Sequence, residues 1–264
     1  MVASDNKAKH PFAVDERLIM PETRYEVIDG HVVHVSPAPR ALASRRAKLS
    51  ALLEAYVTDG YDTACDMLTR TSEFGDMAFD GSIYAVAPDP ETGGRRLEEL
   101  AFEVVSTDTL AHAGVKAARL RARGARRVFA IDAEDKRALE WSSEAEVWQL
   151  LRNDDAIDDP TLVAPLPVAA LVGKVPVDDA IVRALIAKKN PVLLAAIAEA
   201  NALACAEGYT RGIAQALTSF LHARGFELTP DVVERIDACR DRALLERWVR
   251  RAVTATSLTS VFDD

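Results

Sequence analysis

A chain of 264 residues is long enough to bury one domain of about 150 to 170 residues and still carry a smaller second one. Its 49% hydrophobic content and mean hydropathy of −0.02 describe a soluble globular protein. No apolar run approaches the roughly 20 residues of a spanning helix and the N-terminus, MVASDNKAKHPF, lacks the apolar centre of a signal peptide, so a cytoplasmic protein without a membrane partner is expected.

Three cysteines, Cys65, Cys205 and Cys239, are widely spaced and odd in number, which argues against a disulfide framework. No CxxC pair suggests zinc. The net charge of −9 weighs against nucleic-acid binding by the surface as a whole, because neutralising phosphates dominates such affinity. The basic charge is concentrated, however: Lys116, Arg119, Arg121, Arg123, Arg126 and Arg127 follow one another with no acid among them, and Arg45, Arg46 and Lys48 open another helix. A solvated helix face is the plain reading of such a run, and a DNA-binding surface is the functional one.

In chain order, residues 1–14 are polar and without periodicity, as a disordered or loosely attached segment would be. The run 24–28, Asp29-Gly30 and 31–35 make the strongest local hairpin signal, stopped by Ser36-Pro37-Ala38-Pro39. Residues 41–57 place Leu49, Leu52, Leu53 and Tyr56 on one helical stripe, ended by Asp59-Gly60. Strands are expected over 65–71 and 77–86, joined by a turn at 73–76, and then over 97–105 after a polar loop at 88–96. Ser106, Thr107 and Asp108 offer caps to a helix that runs to Arg123 and ends at Gly124. A buried strand at 128–132 and a hairpin of 137–141 with 145–151 follow. The acidic stretch 153–159 reads as exposed, and the apolar run 163–172 as packed against the preceding domain.

From 176 onward alanine rises and strand patterns disappear. Helices are expected over 179–188, 191–224, 230–238 and 243–255. The domains predicted are therefore 1–175, a mixed α/β sheet flanked by helices in the order β-β-α-β-β-β-α-β-β-β, and 176–264, an all-helical region whose modest reading is helix–helix association, including self-association.

Asp80 lies in the alternating run 77–86, and Glu103 lies among Ala, Phe and Val in 100–105. A carboxylate in such surroundings loses solvation and needs a partner or a cation. Two of them on adjacent strands are able to share Mg²⁺, which takes oxygen ligands and keeps several waters. Lys116 follows Glu103 by 13 residues, on the helix that would pack back over the sheet. These are the parts of a metal-dependent phosphodiesterase site.

The stretches YEVIDGHVVHVSPAP (25–39), FDGSIYAV (79–86), LAFEVVSTDT (100–109) and KAARLRARGARRVFAID (116–132) resemble the Uma2 family of restriction-endonuclease-like proteins, over roughly 21–172. The resemblance implies a restriction-endonuclease-like PD-(D/E)XK core, an endonuclease acting on DNA, and a Mg²⁺ or Mn²⁺ site formed by Asp80 and Glu103. It also implies that the lysine has moved from the strand to the helix, at Lys116, and makes Glu26 a candidate further member. The chain departs from the family pattern at Phe79, where a proline usually precedes the aspartate, at Leu120 for a usual tyrosine, and at Arg127 for a common acid.

The residues alone leave other readings open. Glu103 salt-bridged to Lys116 and Asp80 capping a turn would be structural. His31 and His34 read as surface imidazoles, and His112 precedes Lys116 by one helical turn. A catalytically silent relative of the nuclease fold, acting through its helical tail, is the alternative to the enzyme.

Overall fold

The computed structural model describes residues 25–28, 30–34, 38–73 and 75–263. The expectation for 1–14, Asp29 of the hairpin turn and the Ser36-Pro37 stop lie outside them.

The first elements are β1 (Tyr25–Ile28) and β2 (His31–His34), antiparallel with Tyr25 opposite His34. Gly30, at φ 78°, supplies the left-handed position that a tight hairpin needs. Helix α1 (Arg40–Tyr56) buries Leu49, Leu52, Leu53 and Tyr56, the stripe expected from its periodicity. Then come β3 (Tyr61–Ala64), β4 (Met67–Ser72), β5 (Gly75–Phe79), β6 (Gly81–Ala85) and β7 (Glu98–Val105). A single 3₁₀ turn at Thr107–Thr109 leads into α2 (Leu110–Arg123). Gly124, at φ 123°, closes that helix by donating its N–H to the carbonyls of Leu120 and Arg121. Strands β8 (Arg127–Asp132), β9 (Arg137–Ser142), β10 (Val147–Leu151), β11 (Ala156–Ile157) and β12 (Leu166–Pro167) follow, with α3 (Val168–Leu171) and α4 (Val177–Ala187).

The strands form two principal sheets where one was expected. One has the order β2-β1-β5-β4 and the other β10-β9-β8-β7-β6-β3, while β11 and β12 pair by themselves. The run 77–86, expected as one strand, is divided: β5 belongs to the first sheet and β6 to the second, with Asp80 at the crossing. At the crossing the alternation of burial stops, and Phe79, Asp80, Gly81, Ser82 and Ile83 are all buried. Strand β3 and the β11–β12 pair were likewise not foreseen.

In the larger sheet β7 and β8 are parallel, with Glu103 opposite Ala130, and α2 is the crossover between them. Alternation along β7 assigns its faces. Leu100, Phe102 and Val104 join Leu49, Leu52, Leu53 and Ile83 in the main core on the α1 side. Ala101 and Val105 instead pack with Phe79, Ala113, Ala117 and Leu120 on the α2 side. Glu103 therefore faces α2.

The chain falls into two compact units, Met1–Lys188 and Lys189–Asp264. The division comes after α4 and not at 175, because α4 places Ala180 and Ala184 in the core of the first unit. The second unit is all-helical, with α5 (Pro191–Ala223), α6 (Pro230–Ala238), α7 (Arg242–Thr254) and α8 (Leu258–Phe262). Its core gathers Leu217, Leu221, Ile236, Leu245, Trp248 and Val261. A mixed α/β fold followed by a helical C-terminal region is thus the observed class.

Helix α5 stands out by its length and composition. Over 33 residues it is long and apolar enough by composition to cross a membrane, and none of its most apolar window is buried.

Candidate active site

Three elements converge where β5 becomes β6. Lys116 projects from the second turn of α2 and is 3% exposed. An ammonium has three N–H donors, and all three are accepted: by Glu103 Oε1 at 2.9 Å, Glu26 Oε1 at 2.9 Å and the Ala78 carbonyl at 2.6 Å. Its Nζ also lies 5.0 Å from the centre of the Phe79 ring, where the π-face attracts a cation. Glu26 Oε1 accepts a second bond, from the Ala78 N–H at 3.0 Å, which ties β1 to β5 through side chain and main chain together.

Asp80 is buried at the crossing between the sheets. Its Oδ2 accepts the Val104 N–H at 2.7 Å, which places it beside the backbone that carries Glu103. Its Oδ1 lies 2.8 Å from Nε of Arg46 on α1. The structure therefore brings together Asp80, Glu103, Lys116 and Glu26 in one region, and adds Arg46, which sequence reasoning placed on a basic surface. No local signal marks Arg46, since its partner is reached only through the packing of α1 on the sheet.

Burial dominates the electrostatics. Desolvation pushes the Glu103 carboxyl up to about 7 against the opposing pull of Lys116, with the neighbouring Asp80 and Glu26 charges adding to the rise. Asp80 is raised as well, again chiefly by burial, although Arg46, the Val104 N–H and Lys116 counter it. For Lys116, burial alone would lower the pKa, but the charges and hydrogen bonds of Glu103 and Glu26 outweigh it and the net direction is upward.

Whether these residues suit a metal ion turns on the donors. Glu103 Oε2 is buried with no hydrogen-bond partner, and such an atom asks for a proton or a cation. Among the described residues no group of three or more His, Cys, Asp and Glu side chains is arranged to hold a metal, so a closed cage of zinc type does not fit. A pair of carboxylates fits a hard ion that keeps most of its waters.

The remaining candidates are not in this region. The basic stripe 116–127 is not a free face. Lys116 is inside, Arg126 pairs with Glu99 and Asp159, and Arg127 pairs with Glu140 and Asp159. Arg121 donates to Ser143 Oγ and to the carbonyls of Ala125 and Arg126. Lys116, Arg121, Arg126 and Arg127 of this stripe are thus engaged within the chain, while Arg123 is exposed. Arg127, the departure from the family pattern, belongs to that network. His31 and His112 are exposed, and the side chain of His34 lies outside the described residues.

The sequence model of Uma2, described as "Putative restriction endonuclease", matches residues 14–171. No curated protein matches the chain. Among solved structures, the crystal structure titled "a putative nuclease belonging to DUF820" from Anabaena variabilis is similar at 13% identity and a TM-score of 0.49, covering 59% of this chain and 93% of that one.

Proposed function

The chain belongs to the Uma2 family, and from that premise we propose that it is an endonuclease hydrolysing DNA phosphodiester bonds with Mg²⁺ or Mn²⁺ held by Asp80 and Glu103. The observation that carries this reading is the buried, unpartnered Oε2 of Glu103, next to a saturated lysine and one residue from the N–H that fixes Asp80.

A divalent ion bound there supplies a water activated near neutral pH and neutralises charge on the phosphate. Lys116 holds Glu103 and Glu26 in fixed orientation, and its ammonium adds positive charge to the site that opposes the negative charge developing on a phosphate. Burial around the site lowers the effective dielectric and strengthens that attraction.

Incubating supercoiled plasmid with the purified protein and Mg²⁺ or Mn²⁺ tests the reading, beside Asp80→Asn, which keeps a side-chain oxygen for the Val104 N–H. Nicked or linear product from the wild type and at least about 10²-fold less from the variant is the expected result. No cleavage with either ion, on duplex or single strands, would leave the second reading.

That second reading, a non-catalytic module acting through its helices, is favoured by one observation. In the second unit Val192, Leu194, Ile197, Leu203 and Tyr209 of α5 are all exposed. Glu199, Asn201 and Glu207 interrupt this stretch, and a charged residue near the middle of a span costs about 2.5 to 3.5 kcal/mol. We therefore take α5 as a helix that packs on protein, self-association included, and the whole chain as cytoplasmic.

A further inference from the structure

Each of the two carboxylates is met by a cation of the chain, but the two cations are held differently. Lys116 is enclosed, with every donor accepted. Arg46 keeps 25% of its side-chain surface exposed, against 5% for Asp80. Its Nε, although 2.8 Å from Asp80 Oδ1, has no aligned hydrogen-bond acceptor. At Nε this is an ion contact without the aligned bond of a bidentate pair. The base of the side chain is fixed all the same, because α1 is anchored by Leu49, Leu52 and Leu53 in the main core. Arg46 can thus swing about its side-chain torsions without α1 moving.

We propose that Arg46 is an exchangeable counterion of the site: it neutralises Asp80 while no divalent ion is bound, and passes to a phosphate of the nucleic acid when an ion takes Asp80. The inference rests on the metal reading above and extends it to substrate recognition. A divalent ion on Asp80 competes for Oδ1 and repels the guanidinium beside it, which weakens the hold of the carboxylate on Arg46. The released group is planar, permanently charged and carries paired N–H donors that match two phosphate oxygens. Arg46, a quarter exposed, is the cation of the site that solvent and a phosphodiester can reach. Occupancy of Asp80 by the ion and of Arg46 by the phosphate then favour each other, as reciprocal linkage requires.

The test is calorimetric titration of the full chain with Mn²⁺, together with binding of a short phosphorothioate DNA duplex with and without Mn²⁺, for the wild type, Arg46→Gln and Arg46→Lys. Arg46→Gln removes the competing charge and is expected to bind Mn²⁺ about tenfold more tightly, while most of the gain in duplex affinity that Mn²⁺ gives the wild type disappears. Arg46→Lys keeps the charge and should match the wild-type Mn²⁺ affinity within about twofold, yet lose duplex gain for want of the planar fork. A folded Arg46→Gln that binds Mn²⁺ no more tightly than the wild type would overturn the exchange and make Arg46 a prop for Asp80. If Arg46→Gln does not fold, the lysine variant decides, and an undiminished duplex gain overturns the proposal. A wild type that takes up no Mn²⁺ overturns the metal reading itself and this inference with it, whereas uptake by the wild type with an unchanged variant removes the exchange alone.

Discussion

Glu103 holds its proton to about pH 7 in the folded chain, while an unfolded glutamate releases it near 4.5. Between those values the native state binds more protons than the unfolded one, so stability falls as pH rises and levels off above 7. The shift corresponds to a loss of up to about 3 kcal/mol across that window. Urea unfolding at pH 5 and pH 8 should show the decline, and Glu103→Gln should remove most of it; an unchanged slope in the variant would assign the pH dependence elsewhere. Lys116 is a different case, because it is the common cation of two buried carboxylates. Lys116→Ala leaves both unpaired, and a loss of about 3 to 5 kcal/mol is expected, as for other broken buried pairs. Adding Glu26→Gln to Lys116→Ala should recover part of that stability without restoring cleavage, which separates the structural role of the lysine from its role toward the phosphate. Recovery of cleavage in the double variant would remove the lysine from the mechanism.

The site depends on how closely α1 approaches β6. A Cβ added at Gly81 would lie 2.9 Å from Leu53 Cδ1 and 3.1 Å from Leu49 Cδ2, and both leucines are fully enclosed. Gly81→Ala should therefore push the helix outward, lower stability by about 1 to 3 kcal/mol and disturb the Arg46–Asp80 contact next to it. Thermal melting and plasmid cleavage of this variant check both effects; a wild-type melting temperature would show that the interface yields more easily. Such contacts explain what sequence could and could not disclose. Glu103 and Lys116 were legible because a strand followed by a crossover helix returns the chain to the same face within a short segment. Glu26 and Arg46 were not legible from the residues, since each meets its partner only when a distant element packs: β1 against β5, α1 against the sheet. Asp80 was expected on a strand beside Glu103, but its place at a crossing between sheets was hidden, because the residue types of β5 and β6 read as one run while the two strands pair with different neighbours.

At the scale of the whole chain, the boundary between the units decides where the protein can be cut without losing the site. Composition shifts near residue 176, and a protease-sensitive connection within 153–179 would follow from it. The structure argues otherwise. Asp159 takes two hydrogen bonds from Arg126, at 2.6 and 2.7 Å, and Ile157, Leu166, Ala170 and Leu171 are in the main core. Helix α4 adds Ala180 and Ala184 to that core, and Lys188 donates to the Glu54 carbonyl at 2.7 Å. Beyond it, Lys189 is exposed and has φ of 55°, a left-handed conformation that is uncommon for a residue with a side chain. Local unfolding is easiest where few buried contacts must be broken, so trypsin should cut first after Lys188 or Lys189. A fragment of residues 1–188 should stay folded and keep the Mn²⁺ affinity and cleavage rate of the full chain within about threefold, because every site residue and the core beneath it are retained. A fragment ending at 175 loses α4 and uncovers Tyr56 and its neighbours on α1, and it should melt well below the longer one. Equal melting temperatures would place the boundary back at 175, and loss of cleavage by a folded 1–188 fragment would show that the helical unit takes part in the reaction.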